Sequence, residues 1–373
     1  MIVFLIAGQK KPYEGAVRPF CNFAKGLSEE AEVSFALFNC GRELVKYIET
    51  NFDAPIIISN YQNKLIAEIV KLNPQFIIGD DDLSRLRLLN AIKREIRNVK
   101  VAVYVQILYG SHAICRSFDI RFLPPREKCY FTLSKFVPFF ILTRRYVAEL
   151  ERCDFIIANS KSTATFLQTL YGAEIHGIVY PPIDMESFKP ILSNKDSKDV
   201  MLYLGSHGGD TPLDFTEVIV KNVLRRGYTI NMFGNANIAL TIKSKYPGTI
   251  YYKNLSDREL AELYSRSRIT ICPQRWETFG YVEVESMACG TPVVAFNCMG
   301  VQETVIDGKT GWLAKNRREF LKMLDFILRN KEIQMDRDFI RRHVEENFSI
   351  NTSVRKLEEV LKVIVDDQEK YLR

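Results

Sequence analysis

The fold is decided by the stretch Ile269-Thr-Ile-Cys272-Pro-Gln-Arg-Trp-Glu277-Thr-Phe-Gly280-Tyr-Val-Glu-Val-Glu285-Ser-Met-Ala-Cys-Gly290-Thr-Pro292-Val-Val-Ala-Phe296. Its apolar ends, 269–272 and 293–296, predict two buried strands, and 281–289, which lacks Gly and Pro, predicts a short helix between them. Gly290 suits the left-handed position that ends a helix, and Pro292 forbids further helix. The stretch therefore predicts a strand, a loop, a helix and a second strand.

Two carboxylates in this stretch, Glu277 and Glu285, are separated by seven residues. Glu277 lies on the predicted loop, and Glu285 lies about one turn into the helix. Ligands of an open parallel sheet bind at the carboxyl ends of its strands, and the amides that open a helix near Gly280 would face an anion. The pair thus suits a ligand with phosphate and hydroxyl groups. Alternatively both glutamates are solvated, and for two glutamates taken alone this interpretation is favoured.

Strands and helices alternate through the rest of the chain, which predicts an α/β fold with parallel sheets covered on both faces. In the first half, strands are predicted at 2–6, 33–38, 55–59, 76–79, 101–105 and 155–158, and helices at 18–27 and 82–97. In the second half, strands at 200–204, 229–233 and 250–252 precede a helix at 257–265, where residues 256–259 have the form of a capping box.

A chain of 373 residues is too long for one typical core, so two domains are expected. The polar run 193–199 is the best linker in the chain. It predicts an N-terminal domain over 1–190, a second domain over 199–350, and a C-terminal helix over 351–373 with an apolar stripe. Two similar α/β halves joined by a linker leave a cleft, which is a common place for a ligand.

Composition excludes several classes of protein. Hydrophobic content of 47% and charged content of 26% are typical of a soluble globular protein, and the apolar runs are too short to span a bilayer. The eight cysteines form no Cys-x-x-Cys pair, so neither a zinc site nor a disulfide framework is indicated, and reduced thiols suit a cytoplasmic protein. A net charge of +6 permits anionic partners but is too small to indicate nucleic acid.

Residues 121–152 contain seven basic, three acidic and seven aromatic residues. Basic and aromatic residues interleaved in this way suit binding at an anionic membrane surface, with the protein peripheral on the inner face of the membrane. The alternative is that the aromatic side chains pack inward while the basic ones stay solvated. Pro138 interrupts any single amphipathic helix over this segment, which leaves both interpretations open.

Together, these motifs resemble the retaining glycosyltransferases of family 4, within the glycosyl transferases group 1. The resemblance rests on Glu277 and Glu285, on Met287-Ala-Cys-Gly290-Thr-Pro292-Val-Val and on Gly300-Val-Gln-Glu303-Thr-Val-Ile-Asp307-Gly308-Lys-Thr-Gly311. Upstream, 153–160 and 181–190 resemble the end of the family's first domain, whereas the first 150 residues match only in outline. The resemblance implies the GT-B fold: two Rossmann-like domains facing each other across a cleft, with the C-terminal helix packing back on the first.

The resemblance also implies residue roles and a donor substrate. Glu277 would contact the donor sugar, Glu285 the ribose of a nucleotide-diphosphate sugar, and the amides at 279–282 its diphosphate, with no metal and no cofactor. The first domain would bind a glycan, a lipid-linked sugar or another hydroxyl acceptor. The implied donor-binding residues are Gly15, Gly205, Ser206, Gly208, Gly234, Lys253, Asn254, Leu255, Arg275, Thr278, Phe279, Gly280, Tyr281, Val282 and Glu285.

Three positions depart from the family pattern. The loop 205–213 lacks the Arg and Lys that neutralise the diphosphate leaving group, a loss of several kcal/mol unless something replaces them. An amide nest, a protonated catalytic His207 or Arg275 could do so; alternatively His207 is an ordinary loop residue. Gln106 stands where many members place a catalytic His, with His112 as a substitute or a solvated loop residue. Finally, residues 80–82 are three aspartates, for which a helix cap is favoured over a metal site.

The expected function is therefore metal-independent, retaining transfer of a sugar from a nucleotide-diphosphate sugar to a hydroxyl acceptor. The missing cations leave a rival open, a nucleotide-sugar or glycan-binding protein that has lost transfer activity. A phosphorylase of the same fold would need a cofactor lysine site, which the sequence does not display.

Overall fold

A computed structural model of the chain describes residues 1–12, 15–96, 98–108, 125–134, 136–191, 198–205, 211–330 and 335–371. These residues form two compact units. The described residues of the first lie within Met1–Tyr109, Phe140–Ile183 and Phe348–Arg373, and those of the second within Gly110–Phe139 and Asp184–Asn347. Residues 193–197 of the predicted linker at 193–199 lie outside the described residues, and Asp199 already begins a strand.

The first unit is built on a seven-stranded parallel sheet with strand order β3-β2-β1-β4-β5-β6-β7. Its strands are β1 (Ile2–Ala7), β2 (Val33–Phe38), β3 (Ile56–Ser59), β4 (Phe76–Asp80), β5 (Lys100–Val105), β6 (Phe155–Ala158) and β7 (Gly177–Ile178). The helices of this unit, apart from the last helix of the chain, are α1 (Arg18–Leu27), α2 (Arg42–Asn51), α3 (Gln62–Leu72), α4 (Leu83–Glu95), α6 (Phe139–Leu150) and α7 (Lys161–Phe166), the last followed by a π-helical turn, Leu167–Tyr171. The helix α5 (Pro125–Ser134) lies in the part of the chain that belongs to the second unit. The central strand β1 is buried along its whole length because helices cover both faces of the sheet.

The second unit is built on a six-stranded parallel sheet with strand order β10-β9-β8-β11-β12-β13. Its strands are β8 (Asp199–Tyr203), β9 (Thr229–Phe233), β10 (Thr249–Tyr251), β11 (Thr270–Cys272), β12 (Val293–Phe296) and β13 (Gly311–Ala314). The helices are α8 (Leu213–Arg225), α9 (Ala236–Lys245), α10 (Asp257–Arg266), α11 (Tyr281–Ala288), α12 (Val301–Thr304), α13 (Arg317–Arg329) and α14 (Arg337–Phe348).

The last helix, α15 (Ile350–Tyr371), packs on α1 within the first unit. The two helices approach closely at Gly26, where an added Cβ would lie 2.6 Å from side-chain carbons of Ile350 and Val354. Leu357, Val360 and Leu361 of the predicted apolar stripe are buried against the core of the first unit. Close approach at a glycine and an apolar stripe together hold α15 in place.

The predicted α/β class with two Rossmann-like domains is confirmed, and most predicted elements lie within one or two residues of the observed ones. The helix breaks are also where the sequence predicts them. α5 ends before Pro138 and α6 begins at Phe139. Ser256 and Glu259 form the reciprocal bonds of a capping box at the start of α10.

Candidate functional site

The described donor-binding residues predicted in the second unit lie on loops that leave one edge of its sheet and in the helix α11 that follows one of these loops. All of its strand pairs are parallel, so the loops after β8, β9, β10 and β11 emerge at the same carboxyl edge. These loops carry Gly205, Gly234, 253–255 and 275–280 respectively. The strand order reverses between β8 and β11, and that reversal is where open α/β sheets bind ligands.

The loops after β8 and β9 touch each other through their glycines. The amide of Asn235 donates to the carbonyl of Gly205 at 2.8 Å. Gly234 has φ +104°, and an added Cβ there would lie 2.6 Å from the Gly205 carbonyl oxygen. Gly234 therefore allows the two backbones to come this close, because it has no Cβ. Ser206, His207 and Gly208 lie outside the described residues.

Gln274 joins two segments at this same edge of the sheet, a role that the sequence did not predict. Its side chain is 2% exposed, and its Nε2 donates to the carbonyl of Tyr203 at 3.1 Å and to Oγ1 of Thr211 at 3.0 Å. It thus holds β8 and Thr211, which lie on either side of the predicted phosphate-binding loop. Because Gln is common in exposed loops, the sequence carried no signal for this brace.

Gly300 fixes the backbone of the loop before α11. Its amide donates to the carbonyl of Glu277 at 3.1 Å, and a Cβ at this position would lie 2.1 Å from the carbonyl oxygen of Thr278. The side chain of Phe279 is 1% exposed and anchors the loop from the other side. The loop that carries Glu277 is therefore held by a backbone approach that only glycine permits.

The helix α11 is preceded by a left-handed glycine, Gly280. Gly280 has φ +98° and provides no side-chain cap, and the first intrahelical bond runs from Val284 to its carbonyl. Backbone amides ahead of that bond point along the helix axis at the sheet edge, where the helix dipole attracts an anion. At the other end, Arg341 of α14 donates to the carbonyl of Ala288, which complements the negative end of α11.

The two predicted glutamates are not both solvated. Glu285 is 2% exposed, and the hydroxyl of Tyr264 lies 3.5 Å from its Oε2. Glu277 is half-buried on the preceding loop. The solvated interpretation is therefore wrong for Glu285, because the helix turns this residue toward α10 rather than toward water.

Glu283 is a third carboxyl in α11 that sequence reasoning missed. It is 3% exposed, and burial raises its pKa to about 7. The thiol of Cys272, at the end of β11, donates to this carboxyl, and burial together with the Glu283 charge raises the thiol pKa well above its ordinary value. The sequence did contain one signal of its burial, since Glu283 is flanked by two valines and lies two positions before Glu285.

The remaining predicted residues of this edge differ in their exposure. Arg275 is half-buried, and its guanidinium lies over the ring of Phe296 at 5.1 Å from the centroid. Lys253 and Asn254 are exposed beyond β10, and Asn254 has φ +55°. Arg275 is thus packed at the same edge as Glu277, while 253–255 lie at the outer strand.

In the first unit, Gly15 and Gln106 lie near the carboxyl edge of the other sheet. Apart from its chain neighbours, no atom of the described residues would lie within 4 Å of a Cβ added to Gly15. The side-chain amide of Gln106 donates to the carbonyl of Ala16 at 3.2 Å, so it ties the loop after β5 to the loop before α1. His112 lies outside the described residues.

The three aspartates at 80–82 have three different partners. Asp82 caps α4 by accepting from the amide of Ser84, which confirms the cap, and Asp80 pairs with Arg85. Asp81 is 1% exposed and accepts from the amides of Gln106 at 2.9 Å and Ile107 at 3.0 Å. Among the described residues, no group of three or more His, Cys, Asp or Glu side chains is placed to hold a metal ion.

Residues 244–345 match the family model described as glycosyl transferases group 1. This match includes α10, β11, α11 and β12, and with them Glu277, Glu283 and Glu285. The predicted resemblance to glycosyltransferases is thereby confirmed for this part of the chain. Membership of family 4 and retention of configuration stay predictions.

This chain matches about half or less of the length of each of three curated relatives. D-inositol 3-phosphate glycosyltransferase 2 of Catenulispora acidiphila is 26% identical over 204 residues, covering 46% of this chain and 47% of the relative. The lipopolysaccharide core biosynthesis mannosyltransferase LpsB of Rhizobium meliloti is 28% identical over 174 residues, covering 43% and 50%. An uncharacterized 41.2 kDa protein in the cps region of Klebsiella pneumoniae is 28% identical over 131 residues, covering 35% and 37%.

Solved structures match over nearly the whole chain. Anabaena Alr3699/HepE, determined in complex with UDP and glucose, superposes with a TM-score of 0.71 at 17% identity, covering 97% of this chain and 99% of that one. Sucrose-phosphate synthase from Thermosynechococcus elongatus superposes with a TM-score of 0.74 at 16% identity, covering 98% and 99%. At these identities the likeness shows the fold, which is that of the GT-B glycosyltransferases.

Proposed function

We propose that this chain, whose residues 244–345 match the glycosyl transferases group 1, moves a sugar from a nucleotide-diphosphate sugar to a hydroxyl acceptor. The observation that carries the proposal is the buried carboxylate of Glu285 in α11, whose N-terminus opens at Gly280. A helix N-terminus attracts a diphosphate, and a buried carboxylate accepts strong hydrogen bonds from ribose hydroxyls. A nucleotide-diphosphate sugar carries both of these groups.

Two similar proteins support a nucleotide-sugar donor. The structure of Anabaena Alr3699/HepE was determined with UDP-glucose, and LpsB of Rhizobium meliloti is named a mannosyltransferase. In this chain, residues 253–255 after β10 would meet the base, and Gly205 with 206–208 would meet the phosphates. The half-buried Arg275 is the cation proposed to replace the family's missing Arg and Lys.

The proposed chemistry is transfer with retention, without a metal or a cofactor. Glu277 would hold the donor sugar so that its anomeric carbon meets the acceptor hydroxyl on the face from which the diphosphate leaves. The departing diphosphate would take the acceptor's proton. The dipole of α11 and the guanidinium of Arg275 would stabilise the charge that develops on the leaving group.

The proposed acceptor is a glycan or a lipid-linked sugar, reached at the inner face of a membrane from the cytoplasm. The segment 133–145 carries exposed apolar and basic side chains: Leu133, Phe136, Phe140, Ile141, Arg144 and Arg145. Phe136 is 83% exposed and Phe140 is 70% exposed, whereas Tyr146 is fully buried, so only some of the aromatic residues pack inward. No helix in the described part of the chain is long and apolar enough to cross a membrane.

Flotation with liposomes tests this membrane proposal. We expect the protein to float with vesicles containing anionic lipid at low salt and to be released as salt screens the basic residues. The double variant Phe136→Ser, Phe140→Ser should stay at the bottom of the gradient. A matched control is Tyr61→Ser, which removes an aromatic side chain that is 76% exposed outside this segment. Equal flotation of both variants would count against this surface.

The donor is tested by thermal unfolding in the presence of UDP, GDP and dTDP sugars, since a ligand of the native state raises the melting temperature. A donor that raises it is then incubated with the protein in the absence of acceptor. Slow release of free sugar is expected of a transferase. A donor that stays intact would favour the rival binding protein, and no shift with any donor would contradict the proposed site.

A further inference from the structure

Glu283 lies on the buried side of the helix start that faces the proposed donor diphosphate. Its carboxyl turns back along α11, because its own backbone amide donates to it. A Cβ placed on Gly280 would lie 3.1 Å from its Oε2. The carboxyl therefore sits beside the left-handed glycine at which α11 begins.

Burial outweighs the groups that favour a negative charge on Glu283, which are its own backbone amide and the thiol of Cys272. That thiol is the side-chain partner of Glu283, and its own pKa is raised well above its ordinary value. Cys298, after β12, is close enough that the charges of Glu283 and Glu277 raise its pKa, to about 12, after burial as the main cause. Arg275 acts on the same thiol in the opposite direction, while its guanidinium stacks on Phe296.

We propose that Glu283 is a positioning residue of the donor site that carries a proton in the donor complex. Its neutral carboxyl would support the backbone at Gly280, and donor binding would draw a proton from solvent whenever Glu283 is ionised beforehand. The proposal rests on the proposed function, since it requires a diphosphate at the start of α11. It adds a third carboxyl to the two that the family resemblance implies.

The physical reason is competition for one helix dipole. An ionised Glu283 and a bound diphosphate would place negative charges at the same N-terminus, and the bound donor would exclude the water that screens them. Both effects favour the neutral carboxyl. In the free protein, burial already raises the pKa of Glu283 to about 7, so its ionised form is populated at and above neutral pH.

Donor affinity should consequently fall as the pH rises. Below about pH 6, Glu283 is neutral before binding, and its proton has no effect on affinity. Each unit of pH above a pKa of about 7 should weaken binding by about tenfold, because one proton must be taken up. Glu283→Gln keeps the shape and the neutral charge, so its affinity should not vary over this range and should exceed that of the wild type at pH 8.

The experiment is calorimetric titration of the full chain with UDP-glucose at pH 6, 7 and 8, in two buffers of different ionisation enthalpy. UDP-glucose suits this purpose because its diphosphate diester has no proton to lose near neutral pH. The difference in heat between the buffers counts the protons taken up. We expect uptake approaching one proton at pH 8 in the wild type, none in Glu283→Gln, and wild-type uptake in the control Glu262→Gln, on the outer helix α10.

The outcomes separate the two proposals. Absence of UDP-glucose binding by the wild type at every pH would overturn the UDP-sugar site and, with it, the role of Glu283. Binding without proton uptake, or uptake that persists in Glu283→Gln, would overturn the role of Glu283 alone. Uptake that disappears in Glu283→Gln while binding at pH 6 is retained supports it.

Discussion

Asp81 and Glu283 are buried carboxyls at the carboxyl edges of the two sheets, and their partners differ. Asp81 accepts the amides of Gln106 and Ile107 and the hydroxyl of Tyr146 at 3.2 Å. Glu283 has its own amide and the weakly donating thiol of Cys272. Burial raises the pKa of both groups to about 7.

The difference teaches that a raised pKa does not by itself identify a functional carboxyl. Asp81 joins the end of β5 to α6, so its acceptor capacity is used by the protein, and it acts as a structural brace. Glu283 lies beside the N-terminus of α11, and its thiol partner donates only weakly. The set of partners, rather than burial, separates a brace from a group poised to respond to a ligand.

The largest loss of activity is expected from removing the two predicted carboxylates at the carboxyl edge of the second unit's sheet. Glu285→Ala and Glu277→Ala should each lower kcat/KM by about a thousandfold or more, since each removes a contact made in the transition state. Activity is measured as sugar transfer or donor hydrolysis, and circular dichroism verifies folding. Glu262→Ala, on the outside of α10, should keep wild-type activity; near-normal turnover in either site variant would contradict the assignment.

A smaller but still large effect is expected from Gly300→Ala. The added methyl would lie 2.1 Å from the carbonyl oxygen of Thr278, so the loop carrying Glu277 must shift. We expect a loss of activity of about a hundredfold, with a loss of stability of about 2 kcal/mol. Gly248→Ala is the matched control, because its nearest contact is the flexible side chain of Leu224 at 3.1 Å. Equal activity in both variants would show that the loop tolerates the shift.

The pH dependence of stability tests the comparison directly. Because the folded-state pKa of Glu283 is raised from 4.5 to about 7, the native state holds a proton that the unfolded state has lost between these values. Stability contributed by this group therefore falls as the pH rises, by about 2 kcal/mol between pH 5 and pH 7. In urea unfolding, the fall between pH 5 and pH 7 should be about 2 kcal/mol smaller for Glu283→Gln than for the wild type, because Asp81 still contributes its own fall, and the variant should be the more stable protein at pH 8.

The smallest effect is expected from Asp81→Asn, and it should be confined to stability. The amide oxygen of Asn can still accept from both backbone amides, which share Oδ1, whereas an NH2 group replaces Oδ2. The hydroxyl of Tyr146 therefore loses its acceptor, at a cost of about 1.5 kcal/mol. Urea unfolding measures this loss, and calorimetry should show the same proton uptake on UDP-glucose binding as in the wild type. Loss of that proton uptake in Asp81→Asn would mean that the carboxyl edge of the first unit's sheet also responds to the donor.

Sequence reasoning predicted what depends on local pattern. The strands, the start of α11 at Tyr281, the left-handed Gly290 and the cap at Asp82 follow from apolar periodicity, glycine and capping chemistry, which act within a few residues. Glu277 and Glu285 were identified by their spacing and by resemblance. Gly300 was recognised as part of the matching stretch, but its role as the support of the 277–280 loop was not.

The sequence by itself thus determined two α/β units, the order of their elements and the position of the helix that opens at Gly280. Only the tertiary structure decided that Glu285 is buried, that Gln274 and Gly300 hold the loops beside it, and that Glu283 shares the helix start with a thiol. The reason is physical. Periodicity sets which face of a helix is apolar, whereas burial and the partners of a carboxyl depend on backbones distant in sequence that pack against that face.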